Sequence, residues 1–208
     1  MSTVILDYGL GNVGAFEELY KRNDLPVRRA SSSEQLEGAE RLILPGVGAF
    51  DFAMRMFSES GLRDPVDRLV REQGIPVLGV CVGMQMMANG SDEGDLPGLG
   101  WVDAQVKHLS SVLGNESIPT PHMGWNDIYP VAGEPLFEGL ETEAQFYFLH
   151  SYFVQPASEK NVIASSEYGQ PFCCAFRNGN IRGVQFHPEK GHDWGVRLLS
   201  NFARISRC

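Results

Sequence analysis

Short apolar runs recur through the first half of this chain, and the gaps between them each hold one helix. Val4-Ile5-Leu6, Pro26 to Arg29, Leu42-Ile43-Leu44 and Val77 to Val80 are the runs. Segments this short, bounded by Gly, Pro or polar residues, read as strands. Asn12 caps a helix from Val13 to about Arg22, and Ser32 with Gln35 has capping-box spacing for a brief helix stopped near Gly38. Asp64-Pro65 reads as a cap and first-turn proline for a helix whose apolar face is Val66, Leu69 and Val70. A further helix follows the Val77–Val80 strand from about Gly83. Strands joined through helices run parallel, with right-handed crossovers.

The expected fold is therefore α/β: one three-layer domain over residues 1–208, with a mostly parallel central sheet flanked by helices. A chain of 208 residues suits one such domain and buries roughly 70% of its unfolded surface. The second half is richer in strands: Val102 to Val106, Gln145 to Leu149, Phe172 to Arg177 and Ile181 to Phe186. Asn178-Gly179 is a hairpin turn signal between the last two. A closing helix is expected from about Gly195 to Ile205, and Ser110 to Pro121 reads as loop.

A net charge of -9 argues against nucleic-acid or anionic-membrane partners, and no Lys/Arg run contradicts it. Met1-Ser2-Thr3 opens no signal peptide, and no apolar run reaches membrane length. The four cysteines, Cys81, Cys173, Cys174 and Cys208, include no CxxC pair. Neither a disulfide framework nor a metal site is expected, which points to a reducing, cytoplasmic setting.

Gly9-Leu10-Gly11-Asn12-Val13-Gly14 matches the GxGxxG of dinucleotide-binding folds. The acid that such sites place on the ribose is missing from the end of the next strand, so the run is read as a tight glycine turn and no cofactor is expected.

Gly79-Val80-Cys81-Val82-Gly83 has the pattern of a nucleophile elbow with a thiol in place of the serine hydroxyl. A sharp strand-to-helix turn lifts the sulfur out of the sheet beside a helix N-terminus, which favours the thiolate. Cys81 needs a base, and the base needs an orienting acceptor. His187-Pro188-Glu189 supplies both, because Pro188 keeps the chain extended and residues two apart face the same way. Attack on an amide also needs oxyanion donors. The Val82 N–H is one by elbow geometry, and Gly46-Val47, within Pro45-Gly46-Val47-Gly48, is the candidate for the second.

Leu44-Pro45-Gly46-Val47-Gly48, Gly79-Val80-Cys81-Val82-Gly83-Met84-Gln85 and Val184-Gln185-Phe186-His187-Pro188-Glu189-Lys190 resemble the three signatures of class I (triad) glutamine amidotransferases. Asp7-Tyr8-Gly9-Leu10-Gly11-Asn12, Pro121-His122-Met123-Gly124-Trp125-Asn126 and Phe146-Tyr147-Phe148-Leu149-His150-Ser151-Tyr152 resemble the glutaminase subunits of imidazole glycerol phosphate synthases within that class. The resemblance implies a flavodoxin-like fold, L-glutamine as substrate, and ammonia passed to a (β/α)8-barrel cyclase in a heterodimer. It implies that Gly48, Gln85, Glu93, Ser151 and Tyr152 hold the glutamine, with Glu93 facing its α-ammonium. It places Asn12, Met123, Trp125 and Asn126 at the partner interface. Two departures stand out: Gly191 where family members commonly carry Ser, and Asn12-Val13-Gly14-Ala15 where the opening commonly continues Asn-Leu-x-Ser. They leave open a paralogous subunit feeding ammonia to a surface-polysaccharide sugar, and a stand-alone cysteine hydrolase is a further alternative.

Overall fold

The apolar runs of the first half are buried because they lie side by side in the middle of a covered sheet. The computed structural model describes residues 2–113 and 119–207. Its first strands and helices are β1 (Thr3–Leu6), α1 (Val13–Arg22), β2 (Val27–Ala30), β3 (Arg41–Gly46), α2 (Phe50–Glu59), α3 (Arg63–Arg71), β4 (Val77–Cys81) and α4 (Val82–Met86). Then come β5 (Gly90–Ser91), β6 (Ala104–His108), α5 (Ser110–Leu113), β7 (His122–Asp127), β8 (Tyr129–Pro130), β9 (Gln145–His150) and β10 (Tyr152–Pro156). The chain closes with β11 (Val162–Tyr168), β12 (Gln170–Asn178), β13 (Ile181–Val184) and α6 (His192–Phe202).

The main sheet has eight strands in the order β2-β1-β3-β4-β13-β12-β11-β8. From β2 to β13 every neighbouring pair is parallel, and beyond β13 every pair is antiparallel. Helices flank it: α1 packs on β1, β2 and α6, while α4 packs on β3, β4 and α2. This is the mostly parallel α/β fold expected. The Asn178-Gly179 signal forms the β12–β13 hairpin, with Asn178 paired to Ile181 and Gly179 at φ +60°. No described helix is long and apolar enough to cross a membrane.

Several expectations need correction. Residues 34–36 form a 3-10 turn without a side-chain cap, and Gln35 accepts from the N–H of Ser31, not Ser32, so no capping box forms. Helix α3 starts at Arg63 with Leu62 before it, which puts Asp64 in the first turn instead of at the cap. Helix α2 has no counterpart in the sequence reading, although Phe50, Ala53, Met54 and Phe57 have helical spacing and are all buried. Its cap position is Ala49, which offers no side-chain acceptor; Glu93, 43 residues on, accepts from the Phe50 N–H at 2.9 Å instead. The Ser110–Pro121 loop begins as the short helix α5; residues 114–118 of it, and Cys208, lie outside the described residues. Two small sheets were also unforeseen: β10-β6-β5, and the antiparallel ribbon β7-β9.

Candidate active site

Strand β4 ends at Cys81 and α4 begins at Val82, so strand becomes helix with no loop between. Cys81 takes φ +55° and ψ −115°, a conformation that L-residues rarely adopt. Close backbone contact enforces it. A Cβ on Gly83 would stand 2.0 Å from the Leu44 carbonyl oxygen, and one on Gly46 would stand 2.3 Å from the Gly83 nitrogen. The glycines of the elbow are thus required by β3 pressing on the start of α4. Val82 is the first helical residue, so its N–H has no carbonyl to meet within the helix.

Above Cys81 lies a cavity of about 370 Å³, within the range of small-molecule sites. The sequence-nominated Val47, Gly48, Gln85, Glu93, Ser151 and Tyr152 all line it, together with Cys81, Val82 and His187. A hollow of about 440 Å³ beside Arg63, Asp64, Asp67 and Arg71 is larger, but its one hydroxyl, Ser58, accepts from Arg63 and has no histidine or cysteine beside it in the lining.

His187 is reached by the chain leaving β13, and its N–H donates to the Tyr147 carbonyl of β9 at 3.0 Å. Its Nδ1 lies 2.8 Å from Oε1 of Glu189, and the imidazole also shares a hydrogen bond with Cys81. Burial pulls the imidazole pKa down. The hydrogen bonds to Cys81 and Glu189 and their negative charge outweigh it, and His187 is raised to about 10. Such a site favours the imidazolium form of His187. The Glu189 side chain is 3% exposed, and its second oxygen takes no hydrogen bond among the described residues.

Two residues with no assigned role in the sequence reading also serve the thiol. Gln185 is fully buried, and its Nε2 donates to Cys81 Sγ at 3.7 Å. Its Oε1 accepts from Gln85 Nε2 at 3.1 Å, and Gln85 also donates to the Tyr152 carbonyl at 3.0 Å. The signal was present: Gln185 is two residues before His187, on the same face of extended chain. Tyr8 donates its phenol to the Pro45 carbonyl at 2.6 Å, and burial, then the charge of Cys81, push its pKa up. Gly11, at φ +91°, packs on Pro45 from the same side; a Cβ there would stand 2.6 Å from the proline ring. The GxGxxG run is a brace for the strand that ends at Gly46, just before Val47.

The sequence profile described as Glutamine amidotransferase class-I matches residues 5–205. The chain is a class I glutamine amidotransferase. Among its relatives, imidazole glycerol phosphate synthase subunit HisH of Bdellovibrio bacteriovorus is 55% identical, covering 97% of this chain and 98% of that one. The HisH subunit of Leptospira interrogans is 44% identical over the same shares. A solved structure described as a glutamine amidotransferase superposes with a TM-score of 0.75 at 24% identity, covering 98% of this chain and 99% of that one. PurLQS of Thermotoga maritima superposes at 0.73 with 16% identity, covering 97% and 96%, which is likeness of fold alone.

In this amidotransferase the nominated partner residues are not all presented alike. Met123 and Trp125 project outward from β7, at 62% and 45% exposed, and Leu149 stands opposite Met123 on β9 at the cavity edge. Trp125 stacks on His192 with ring centres 5.5 Å apart. Asn126 turns inward, donating to the Glu167 carbonyl at 2.8 Å and meeting His122 Nε2 at 3.2 Å. Asn12 is exposed and caps α1 through the Ala15 N–H.

Proposed function

We propose that this amidotransferase is the glutaminase subunit of an imidazole glycerol phosphate synthase, paired with a (β/α)8-barrel cyclase in cytoplasmic histidine biosynthesis. The observation that carries the assignment is the full-length likeness to the Bdellovibrio HisH subunit at 55% identity. The open apolar rim at Met123, Trp125 and Leu149, beside the cavity mouth, suits a docked partner.

The geometry gives each group a step. Cys81, as thiolate, attacks the side-chain amide carbon of L-glutamine, and the carbonyl electron pair moves onto oxygen. The N–H of Val82, with those of Gly46 and Val47, receives that oxyanion. As the intermediate collapses, the C–N bond breaks and His187 gives its proton to the leaving nitrogen, releasing ammonia and leaving a γ-glutamyl thioester. Water then loses a proton to His187, attacks the thioester, and frees glutamate with the thiol restored. Glu189 holds the imidazole in one orientation throughout. Gly48, Gln85, Ser151 and Tyr152 hold the substrate, with Glu93 facing its ammonium.

Of the two sequence departures, Gly191 has a packing reason: a Cβ there would stand 2.9 Å from Gly195 of α6 and 3.1 Å from the Phe146 ring. It therefore lends no weight to a paralogous destination for the ammonia. The test is glutamine-dependent product formation with a histidine-pathway cyclase, with and without the cyclase's nucleotide ligand. Ammonia release is expected to be slow for the isolated chain and to rise at least about tenfold in the liganded complex. Full turnover without a partner would sink the gated-subunit reading. Product formed only with a sugar-amidating partner would replace the cyclase.

A further inference from the structure

Strand β7 carries a histidine on its inner face, opposite another on β9: His122 pairs with His150 across the ribbon. Their exposures are 3% and 5%, and His122 Nδ1 lies 3.0 Å from His150 Nε2. The direction of the proton between them is fixed at one end. His150 Nδ1 is 2.9 Å from the Tyr152 carbonyl oxygen, and a carbonyl can only accept, so His150 carries its proton on Nδ1. Its Nε2 then accepts, and His122 must donate from Nδ1. This leaves His122 Nε2 as the acceptor facing the Asn126 amide nitrogen at 3.2 Å. The Asn126 amide is oriented in turn by its bond to the Glu167 carbonyl. The His122 ring is held in plane between Phe148 and Tyr168, at centroid distances of 4.7 and 4.1 Å.

The Tyr152 carbonyl is a junction. It accepts from His150 on one side and from Gln85 on the other, and Gln85 leads through Gln185 to the sulfur of Cys81. A continuous set of directed hydrogen bonds therefore joins the strand that presents Met123 and Trp125 to the nucleophile. Protonating either imidazole would put a donor against a donor. Burial keeps both neutral, lowering His122 to about 4 and His150 to about 3.

We propose that His122 and His150 are positioning residues, a tautomer-locked pair that holds the Tyr152 carbonyl, and through it Gln85, Gln185 and Cys81, in register with the outer ribbon strand. The proposal rests on the glutaminase reading above. It assigns the pair no contact with glutamine and no part in proton transfer.

Imidazole 15N NMR on the uniformly labelled wild-type chain, without substrate, reads the lock directly: His150 is expected in a single Nδ1–H form. His122→Phe keeps the ring stack and removes the donor. It is expected to leave His150 in its Nδ1–H form, still held by the Tyr152 carbonyl, and to shift the His150 Nε2 15N resonance as that nitrogen loses its donor. It should also raise KM for glutamine about tenfold, the effect of losing one buried neutral hydrogen bond, measured in the complex with its cyclase. His122→Asn, whose amide nitrogen lies near the Nδ1 position, is expected to bring KM back to within about threefold of wild type. An unchanged KM with an unchanged His150 Nε2 resonance in His122→Phe overturns the proposal. So does a loss of active sites at constant KM that His122→Asn fails to restore, because packing alone explains that pattern. A wild-type chain with the expected 15N form but no glutaminase activity would defeat the assigned reaction while leaving the pair standing.

Discussion

Cys81 and His187 meet across one cavity, yet different parts of the molecule hold them. Cys81 belongs to the parallel sheet, where β3, β4 and the start of α4 touch through backbone at Gly46 and Gly83, and through backbone and the Met87 methyl at Gly79. His187 hangs from the end of β13 by a bridge to Tyr147 of β9, and β9 is otherwise laddered to β7 among the described residues. That ribbon shows Met123, Trp125 and Leu149 to solvent. In the parallel half Gly46, Gly79 and Gly83 leave no space to fill around Cys81, although Val47 and Phe52 are exposed at its surface. The ribbon presents apolar side chains that make physical sense when something covers them. The proposed nucleophile and base are thus seated in different regions, so a partner docked on the ribbon would act on the base side of the site.

The largest test of that division is Cys81→Ala. Glutamine hydrolysis should fall by on the order of 10⁴-fold, read as ammonia release, while binding to the cyclase persists because the ribbon is untouched. Lost binding would show that the two regions are not separate. Next is Gly83→Ala, whose methyl group would stand 2.0 Å from a backbone oxygen. A destabilisation of about 3 kcal/mol is expected, lowering Tm by about 6–12 °C. A Tm within about 2 °C of wild type would mean that the elbow yields and the parallel half is softer than its contacts indicate.

Trp125→Ala should weaken the cyclase complex by about 2 kcal/mol, roughly thirtyfold in Kd, as truncation of an exposed aromatic anchor does. Calorimetric titration against the cyclase checks it, and an unchanged Kd would move the docking surface elsewhere.

The smallest effect is a difference in pH response. His122 and His150 sit below the ordinary histidine value of 6.5, at about 4 and about 3. Their neutral burial stabilises the fold above pH 6.5, and that contribution is lost as pH falls, at about 1.4 kcal/mol per pH unit for each. His187, raised to about 10, works in the opposite sense: its contribution is full below pH 6.5 and is lost as pH climbs towards 10. Urea midpoints at pH 7 and pH 5 should therefore fall less between the two for His122→Phe than for wild type. Equal drops would show that the ribbon histidines do not set the acid limb.

The sequence made the parallel half readable because its determinants are local. Val4-Ile5-Leu6, Leu42-Ile43-Leu44 and Val77 to Val80 are continuous apolar runs, and the glycines around Cys81 stand within the same few residues they shape. Helix α2 escaped notice because its cap is Glu93, far along the chain and on the cavity wall, instead of a residue at its own start. The ribbon was only partly legible: β9 alternates recognisably, but β7 pairs across 28 residues at His122–His150, and no local pattern announces that partner. Gln185 lay inside a recognised signature, yet its donation to Cys81 depends on Gln85, 100 residues away in sequence. What spacing along one segment encodes could be read; what two distant segments make together could not.

The backbone at Cys81 has one more consequence. A φ of +55° with ψ −115° suits glycine, and a side chain held there costs of order 1–3 kcal/mol. The position proposed to carry out the chemistry is thus one where the fold alone would favour another residue. Selection for stability and selection for turnover oppose each other at this single site. In a descendant relieved of glutamine hydrolysis, glycine at 81 would be an early and self-reinforcing change, and its appearance in a related chain would mark an amidotransferase that has given up its reaction while keeping its shape.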